Sequence, residues 1–381
     1  MYKIKLVQEN PKVGDIQGNL DLAKSYISEA KKKNINMIIF SEMFLTGYPP
    51  EDLLLREDFL RASERCSLEL QALSKDISIV IGCPSREDEN IYNSALFFQK
   101  GKLAKNYKKQ ILPNYKEFDE KRYFQKGESH EILEDGDLKF GISICEDIWD
   151  EKYIKEIFHQ DIDLLINISA SPFTIDKKSL REEMLCNYFT DFKKPIIYVN
   201  QVGGQDELVF DGSSLVIDSK DSVKRLKSFE IDEVIIGVDK KNITSNLKQD
   251  SVSRIGEISD IYQALVLGTR DYVQKNNFKG ILIGSSGGID SALTAAIASD
   301  ALGPEKVNTV MMPFKYTADM SIEDAQQLAE NLGFKHEVIP ISEMFKAFKN
   351  SLDAKLTPKE SDKTEENLQS RCRGVTLMAL S

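Results

Sequence analysis

Apolar and polar residues alternate from residue 2 to 8, the two-residue period of a strand with one buried face. Leu20, Ala23, Ile27 and Ala30 follow at helical spacing, and residues 36–40 are apolar enough for a buried strand. Helical spacing returns over 57–75 and a further strand is expected at 77–81. Two polar-apolar runs, 93–99 and 102–108, flank Lys100-Gly101 and predict a hairpin. Strands are expected near 138–145, 163–168, 195–200, 213–218 and 232–238, with helices near 148–158 and 178–192. Residues 1–240 therefore predict an α/β domain whose sheets mix parallel and antiparallel strands.

The pattern lapses over 241–257, where polar residues dominate without periodicity, and a linker is expected there. Beyond it the pattern becomes regular: helix 258–276, strand 280–284, helix 289–302, strand 307–312, helix 320–332, strand 336–339, helix 341–353. Such alternation predicts a doubly wound parallel sheet over 258–381. The last residues, Met378-Ala379-Leu380-Ser381, fall inside an expected helix with no closing cap, so this second domain is expected to be incomplete at its C-terminal end.

Composition narrows the class. A length of 381 residues favours two cores over one. The formal net charge of -11 disfavours nucleic acid as a partner. No apolar run reaches membrane-spanning length. Cys66, Cys83, Cys145, Cys186 and Cys372 are odd in number and lack paired spacing, which points to a reducing cytoplasm rather than disulfides. The three histidines (His130, His159, His336) lack metal-site spacing.

Candidate chemistry collects where strands end. Glu42 follows the apolar run Ile38-Ile39-Phe40, and a carboxylate at that place can lie in a cleft. Lys108 and Lys109 close the second arm of the hairpin. Cys145 ends Phe140-Gly141-Ile142-Ser143-Ile144 and precedes a helical pattern, whose N-terminus is expected to lower the thiol pKa. Amide hydrolysis through a thioester needs a thiolate, an acid/base group and a fixed cation for the oxyanion. Cys145, Glu42 and a lysine supply all three without histidine. Taken singly, each has a blander explanation: core thiol, helix-capping carboxylate, surface ammonium.

Together these contexts resemble the nitrilase superfamily with its Glu-Lys-Cys triad. In that pattern the lysine precedes a short segment ending in Leu-Pro, which selects Lys109 over Lys108, ahead of Leu112-Pro113. The stretches Thr46-Gly47-Tyr48-Pro49-Pro50-Glu51-Asp52-Leu53-Leu54, Leu112-Pro113-Asn114-Tyr115, Phe118-Asp119-Glu120-Lys121-Arg122-Tyr123-Phe124 and Cys145-Glu146-Asp147-Ile148-Trp149 resemble, more narrowly, the glutaminase domain of the glutamine-dependent NAD synthetases. The resemblance implies an α-β-β-α sandwich. It makes Glu120 a supporting glutamate beside the triad and gives the glutamine substrate to Tyr115, Ser171 and Lys177. Lys116 and Glu117 depart from the small and apolar residues that the family commonly carries after Asn-Tyr.

In the second domain the strand Ile281-Leu282-Ile283 runs into Gly284-Ser285-Ser286-Gly287-Gly288-Ile289-Asp290-Ser291 and then a helix. Glycines at such a turn aim backbone N–H groups at one anion, and the helix dipole adds to the attraction. The Ser286 and Ser291 hydroxyls can donate to phosphate, and Asp290 suits a bridging Mg²⁺. The loop resembles the Ser-Gly-Gly-Xaa-Asp-Ser motif of ATP pyrophosphatases, a variety of the adenine nucleotide alpha hydrolase-like fold. Met312-Pro313-Phe314-Lys315-Tyr316-Thr317 and Glu365 to Gly374 resemble the NAD synthetase domain, which implies that Asn367 and Arg371 face deamido-NAD. The joint expectation is an enzyme that frees ammonia from glutamine and uses it, with ATP and Mg²⁺ and no prosthetic group, to amidate adenylated deamido-NAD. A cytoplasmic homo-oligomer is expected. The rival expectations are a free-standing amidase with a degenerate second domain, a binding module without activity, and a sulfur-transferring ATP pyrophosphatase acting on RNA.

Overall fold

Buried apolar strands organise the first half of the computed structural model, which describes residues 1–218, 223–239, 242–247, 249–250, 258–352 and 363–381. The strands of this half are β1 (Tyr2–Gln8), β2 (Met37–Ile39), β3 (Ser78–Glu87), β4 (Asn90–Gln99), β5 (Lys102–Lys108), β6 (Ile132–Asp135), β7 (Leu138–Ile144) and β8 (Leu164–Ser169). They continue with β9 (Ile196–Asn200), β10 (Val202–Gln205), β11 (Leu208–Asp211), β12 (Leu215–Ile217), β13 (Val223–Arg225), β14 (Asp232–Asp239), β15 (Asn242–Ser245) and β16 (Gln249–Asp250). Two seven-stranded sheets result, in the orders β15-β14-β1-β2-β3-β4-β5 and β16-β13-β12-β9-β8-β7-β6. In each sheet three neighbouring central strands run parallel: β1-β2-β3 in the first, β7-β8-β9 in the second. Their near-continuous runs, such as Leu164-Leu165-Ile166, follow from burial on both faces.

Helices α1 (Ile16–Lys32) and α2 (Glu57–Leu73) cover the first sheet, and α3 (Glu151–Phe158) and α4 (Lys177–Phe192) the second. Ile4, Leu6, Met37, Ile39, Val80 and Phe97 of the first sheet meet Phe140, Ile142, Ile144, Ile166 and Val216 of the second in one core. The order of layers is α-β-β-α, as expected. The helical stripe of α1 (Ile16, Leu20, Ala23, Ile27, Ala30) is buried throughout, and Asp15 caps its start by accepting from the Gly18 amide at 3.0 Å.

Residues 265–381 form a second compact unit, and residues 1–264 the first. Helix α5 (Ile258–Lys275) is followed by β17 (Ile281–Ser285), α6 (Ile289–Leu302), β18 (Val307–Met311), α7 (Asp319–Leu332), β19 (Lys335–Val338), α8 (Ser342–Leu352) and α9 (Thr364–Leu380). The three strands pair in parallel in chain order. One face of the sheet packs Ile283 and Val307 against Ala295, Ala298 and Ala329 of α6 and α7. The other packs Val310 and Met312 against Phe345 and Cys372 of α8 and α9. Helices on both faces give the doubly wound arrangement.

Strands β6 and β13 lie outside the expected ones, and further features differ from the expectations. Part of the expected linker, Asn242–Ser245, is a strand that pairs antiparallel with β14, and Gln249–Asp250 pairs with β13. Edge pairing satisfies those backbone groups although the side chains are polar. Residues 251–257 of that stretch lie outside the described residues. The helix expected from 148 starts at Glu151, behind a short 3₁₀ turn, Cys145–Trp149. The small hairpin β10-β11 carries no strong alternation in the sequence.

Candidate active site

Parallel strands of an α/β sheet present their C-terminal ends to ligands. Glu42 lies just beyond β2, Cys145 directly after β7, and Ala170 and Ser171 directly after β8. Strand β5 runs antiparallel to β4, which runs antiparallel to β3, so β5 ends on that same edge with Lys109 next in the chain. Topology thus carries residues more than 60 positions apart into one place.

There the Lys109 ammonium is fully buried and donates to Glu42 Oε1 and Glu120 Oε1, both at 2.8 Å. An ammonium has three N–H groups, so one remains for a further acceptor. Glu42 also accepts from Asn93 Nδ2 at 2.7 Å and, through Oε2, from the Ala170 amide at 2.7 Å. Every contact to Glu42 is a donor's, which suits an ionised carboxylate held rigidly. Glu120 accepts from the Tyr48 hydroxyl at 2.9 Å. Burial raises the Glu120 carboxyl to about 7, with Lys109 pulling it down and Glu42 pushing it up. Burial lowers the Lys109 value, but the two carboxylates outweigh it and hold the ammonium well above its ordinary range.

Cys145 sits in the left-handed region at φ 42°, uncommon for a residue with a side chain and found most often where function fixes the backbone. The expected lowering of its thiol pKa is not what the structure shows. Burial, and then the Glu42 charge, push the thiol well above its usual value, against the smaller pull of Lys109 and Lys177. The five-residue 3₁₀ turn after Cys145 is too short to act as the helix N-terminus that was expected. Activating that thiol would call on a base, and the nearby Glu42 carboxylate is the group placed for it.

Tyr115 stands 48% exposed at the mouth, its hydroxyl donating to Glu146 Oε1 at 2.8 Å. Its ring meets Phe118 edge-on at 5.6 Å, and the Lys177 ammonium lies 5.9 Å from the Phe118 ring. Ser171 is buried with its hydroxyl unpartnered, while its amide donates to Asn200 Oδ1 at 2.9 Å. Buried orphan hydroxyls are rare. Glu42, Lys109, Lys177 and Tyr115 lie close enough to Cys145 to act on its charge or be acted on by it, and Glu120 joins them through Lys109. Lys108 faces outward, over the ring of Tyr92 at 4.1 Å. Sequence reasoning missed Asn93, Tyr48 and Glu146. Glu146, next to Cys145, and Tyr48, inside the run Thr46 to Leu54, each had a signal in a family-like stretch; Asn93 had none.

In the second unit Gly284 and Ser285 end β17, and α6 begins at Ile289 with Gly288 as its extended cap. Ser286 and Ser291 brace the loop: the Gly288 amide donates to Ser286 Oγ at 3.2 Å, the Ser286 amide to Ser291 Oγ at 3.2 Å, and Ser291 Oγ to the Gly288 carbonyl at 2.9 Å. Gly287 has φ 77°, and a Cβ there would lie 2.1 Å from the Ser321 carbonyl oxygen. Asp290 and Ile289 are exposed in the first turn of α6. Asn367 and Arg371 are exposed and share one face of α9, four residues apart.

The model of the carbon-nitrogen hydrolase family matches residues 3–241, and that of the NAD synthase family matches residues 261–381. A glutamine-dependent NAD(+) synthetase of Acinetobacter baylyi is 40% identical over 384 residues, an alignment that takes in 100% of this chain and 70% of the relative. The chain belongs to the glutamine-dependent NAD(+) synthetase family. A solved member from Acinetobacter baumannii, in complex with ADP, superposes with a TM-score of 0.94 at 38% identity, over 100% of this chain and 72% of that one. An amidase of the nitrilase superfamily from Nesterenkonia shares the fold of the first half, with a TM-score of 0.55 at 21% identity, over 61% of this chain and 89% of that one. The synthetase family accounts for both units, so a free-standing amidase with a degenerate second domain is not favoured. No helix among the described residues is long and apolar enough to cross a membrane.

Proposed function

We propose that the chain hydrolyses glutamine at Cys145 and uses the ammonia to amidate ATP-adenylated deamido-NAD, forming NAD(+), AMP and pyrophosphate. The observation that carries the reading is the Lys109 ammonium locked between Glu42 and Glu120 beside a buried thiol, in a chain that aligns along its whole length with the family.

The first step falls to Glu42, a carboxylate fixed by Lys109, Asn93 and the Ala170 amide beside the Cys145 thiol. Its carboxylate takes the Cys145 proton as the sulfur attacks the side-chain amide carbon of glutamine. The third N–H of Lys109 faces the oxyanion that forms. Glu42 returns the proton to the amide nitrogen, the carbon-nitrogen bond breaks, and ammonia leaves a glutamyl thioester. Water, deprotonated by Glu42, attacks the thioester; glutamate departs and the thiol is restored. Tyr115, Ser171 and Lys177 hold the substrate: Ser171 Oγ lacks a partner, and Lys177 supplies a cation suited to the α-carboxylate.

In the second unit Gly284, Ser285, Ser286, Gly287, Gly288, Ile289, Asp290 and Ser291 cradle ATP phosphates. A carboxylate oxygen of the nicotinate ring attacks the α-phosphorus and pyrophosphate leaves. Ammonia then attacks the acyl carbon and AMP leaves, with loss of one ammonia proton. Asp290 offers a single exposed hard oxygen donor, and no cluster of three or more metal-ligating side chains occurs among the described residues. That set fits Mg²⁺ bound by one carboxylate plus nucleotide oxygens. Asp290 would hold the ion there, and the bound ion would offset phosphate charge. Asn367 and Arg371, on one face of α9, contact deamido-NAD. The protein acts as a cytoplasmic homo-oligomer, a state that light scattering measures.

The test measures NAD(+) formation from deamido-NAD, ATP and Mg²⁺ with glutamine or ammonium, while following glutamate release. Both nitrogen donors should serve the wild type, and Cys145→Ala should keep only ammonium. Glutamate release by the Cys145→Ala variant would overturn the assignment of the nucleophile.

A further inference from the structure

We infer that Asp147 is a positioning residue for the amidase step, its carboxylate tying the loop that carries Cys145 to the loop that carries Lys109. The inference rests on the reading of Cys145 and Lys109 as the nucleophile and its cation. Asp147 is fully buried and none of the roles above uses it. Its Oδ1 accepts from the Gln110 amide at 3.0 Å and the Ile111 amide at 2.8 Å, the two residues after Lys109. Its Oδ2 accepts from the Ile144 amide at 2.9 Å, the residue before Cys145, and from the Tyr107 hydroxyl at 2.7 Å, two residues before Lys109.

The strands concerned belong to different sheets: β5 brings Lys109 and β7 brings Cys145. No backbone ladder runs between them, so sheet register leaves their separation open. One carboxylate spans that gap: Oδ1 is bonded to the lysine side alone, and Oδ2 to the cysteine side through Ile144 and to the lysine side through Tyr107. All four partners are donors, so the site calls for a group that only accepts, which a carboxylate is and an amide is not. Asparagine could keep its carbonyl on Gln110 and Ile111, but its NH₂ would then face the Ile144 amide, a donor. The tie to the lysine side would survive and the tie to the cysteine side would break. Of the glutamine-holding residues proposed above, Ser171 and Lys177 lie on other segments and Asp147 touches none of the three, so the loss should fall mainly on turnover.

The experiment compares the full chain with Asp147→Asn and Tyr107→Phe, reading glutamate release and the alkylation of Cys145 by iodoacetamide. For Asp147→Asn, kcat should fall about 100-fold, the scale of a 1 Å misplacement, with KM within about threefold of wild type. Alkylation of Cys145 should slow about tenfold. Tyr107→Phe removes one of the four bonds and should lower kcat roughly threefold with KM unchanged. A folded Asp147→Asn variant with wild-type kcat overturns the inference, as does a loss confined to KM. Should Asp147→Asn fail to fold, Tyr107→Phe decides: a wild-type kcat there overturns it. Cys145→Ala separates the two readings. If that variant still releases glutamate, the assignment of the nucleophile has failed. If it is inactive while Asp147→Asn is unimpaired, only the tie has failed.

Discussion

At the scale of single residues, charge burial governs the glutaminase centre. Lys109 is the one cation shared by two buried carboxylates, so removing it leaves charges that nothing nearby neutralises. Lys109→Met should abolish glutamate release and cost about 3–5 kcal/mol of stability, the penalty for breaking a buried ion pair, read by urea unfolding. Glu120 behaves differently. Its carboxyl is raised to about 7 in the folded protein, mainly by burial, so the native state binds that proton more tightly than the unfolded chain does. The resulting stability is complete below the ordinary carboxylate range and is lost as pH rises through about 7. Asp147, raised by burial to about 6, adds a slope of the same sign. The thermal midpoint should therefore fall as pH rises from about 5 to 8, and Glu120→Gln should make that fall shallower without removing it. A wild-type midpoint that climbs across this range contradicts the argument. Glu42, Lys109 and Cys145 were legible in the sequence because each follows a readable strand and sits in a family-like run. The bonds from Tyr48, Asn93 and Asp147 were not, because they join positions 36 to 72 residues apart and leave no local periodicity.

At the scale of elements, glycines mark where backbones approach too closely for a side chain. A Cβ on Gly82 of β3 would lie 2.2 Å from the Met43 amide nitrogen and 2.6 Å from the Glu42 Cα. The strand is pressed against the turn that aims Glu42, so Gly82→Ala must displace that turn. Glutamate release should drop at least about tenfold through kcat while the second unit still binds nucleotide. Gly287→Ala makes the converse case. It adds left-handed strain of about 1–3 kcal/mol and a clash with the Ser321 carbonyl, so ATP-dependent NAD(+) formation should fail while glutamate release persists. Calorimetric titration with ADP reads the lost nucleotide affinity directly. The strong elements were legible by period: α1, β2, β7 and every helix from α5 to α8 lie within a few residues of expectation. Strands β10, β11, β13 and β15 were not. They are short and polar at intervals, and long-range pairing, not propensity, decides their conformation.

At the scale of the whole molecule, two units with separate apolar cores carry two different chemistries. Among the described residues, the core clusters of residues 1–264 are built from side chains of that unit and those of residues 265–381 from side chains of the other. The two-domain reading from length and from the change of pattern near residue 241 rested on the same physics: one pattern serves a double-sheet sandwich and the other a parallel sheet covered on both faces. The single tryptophan, Trp149, belongs to the first unit and closes the 3₁₀ turn that begins at Cys145, so intrinsic tryptophan fluorescence reports that unit alone. Backbone circular dichroism reports both. A ligand that binds only the folded second unit stabilises it by RT ln(1 + [L]/Kd), about 2.7 kcal/mol at a hundredfold excess over Kd. ADP should accordingly raise the midpoint of the transition seen by circular dichroism but missed by Trp149, and leave the Trp149 midpoint in place. Equal shifts in both signals would mean that the two units unfold as one cooperative body, and the separation of their cores would then carry no independence of stability.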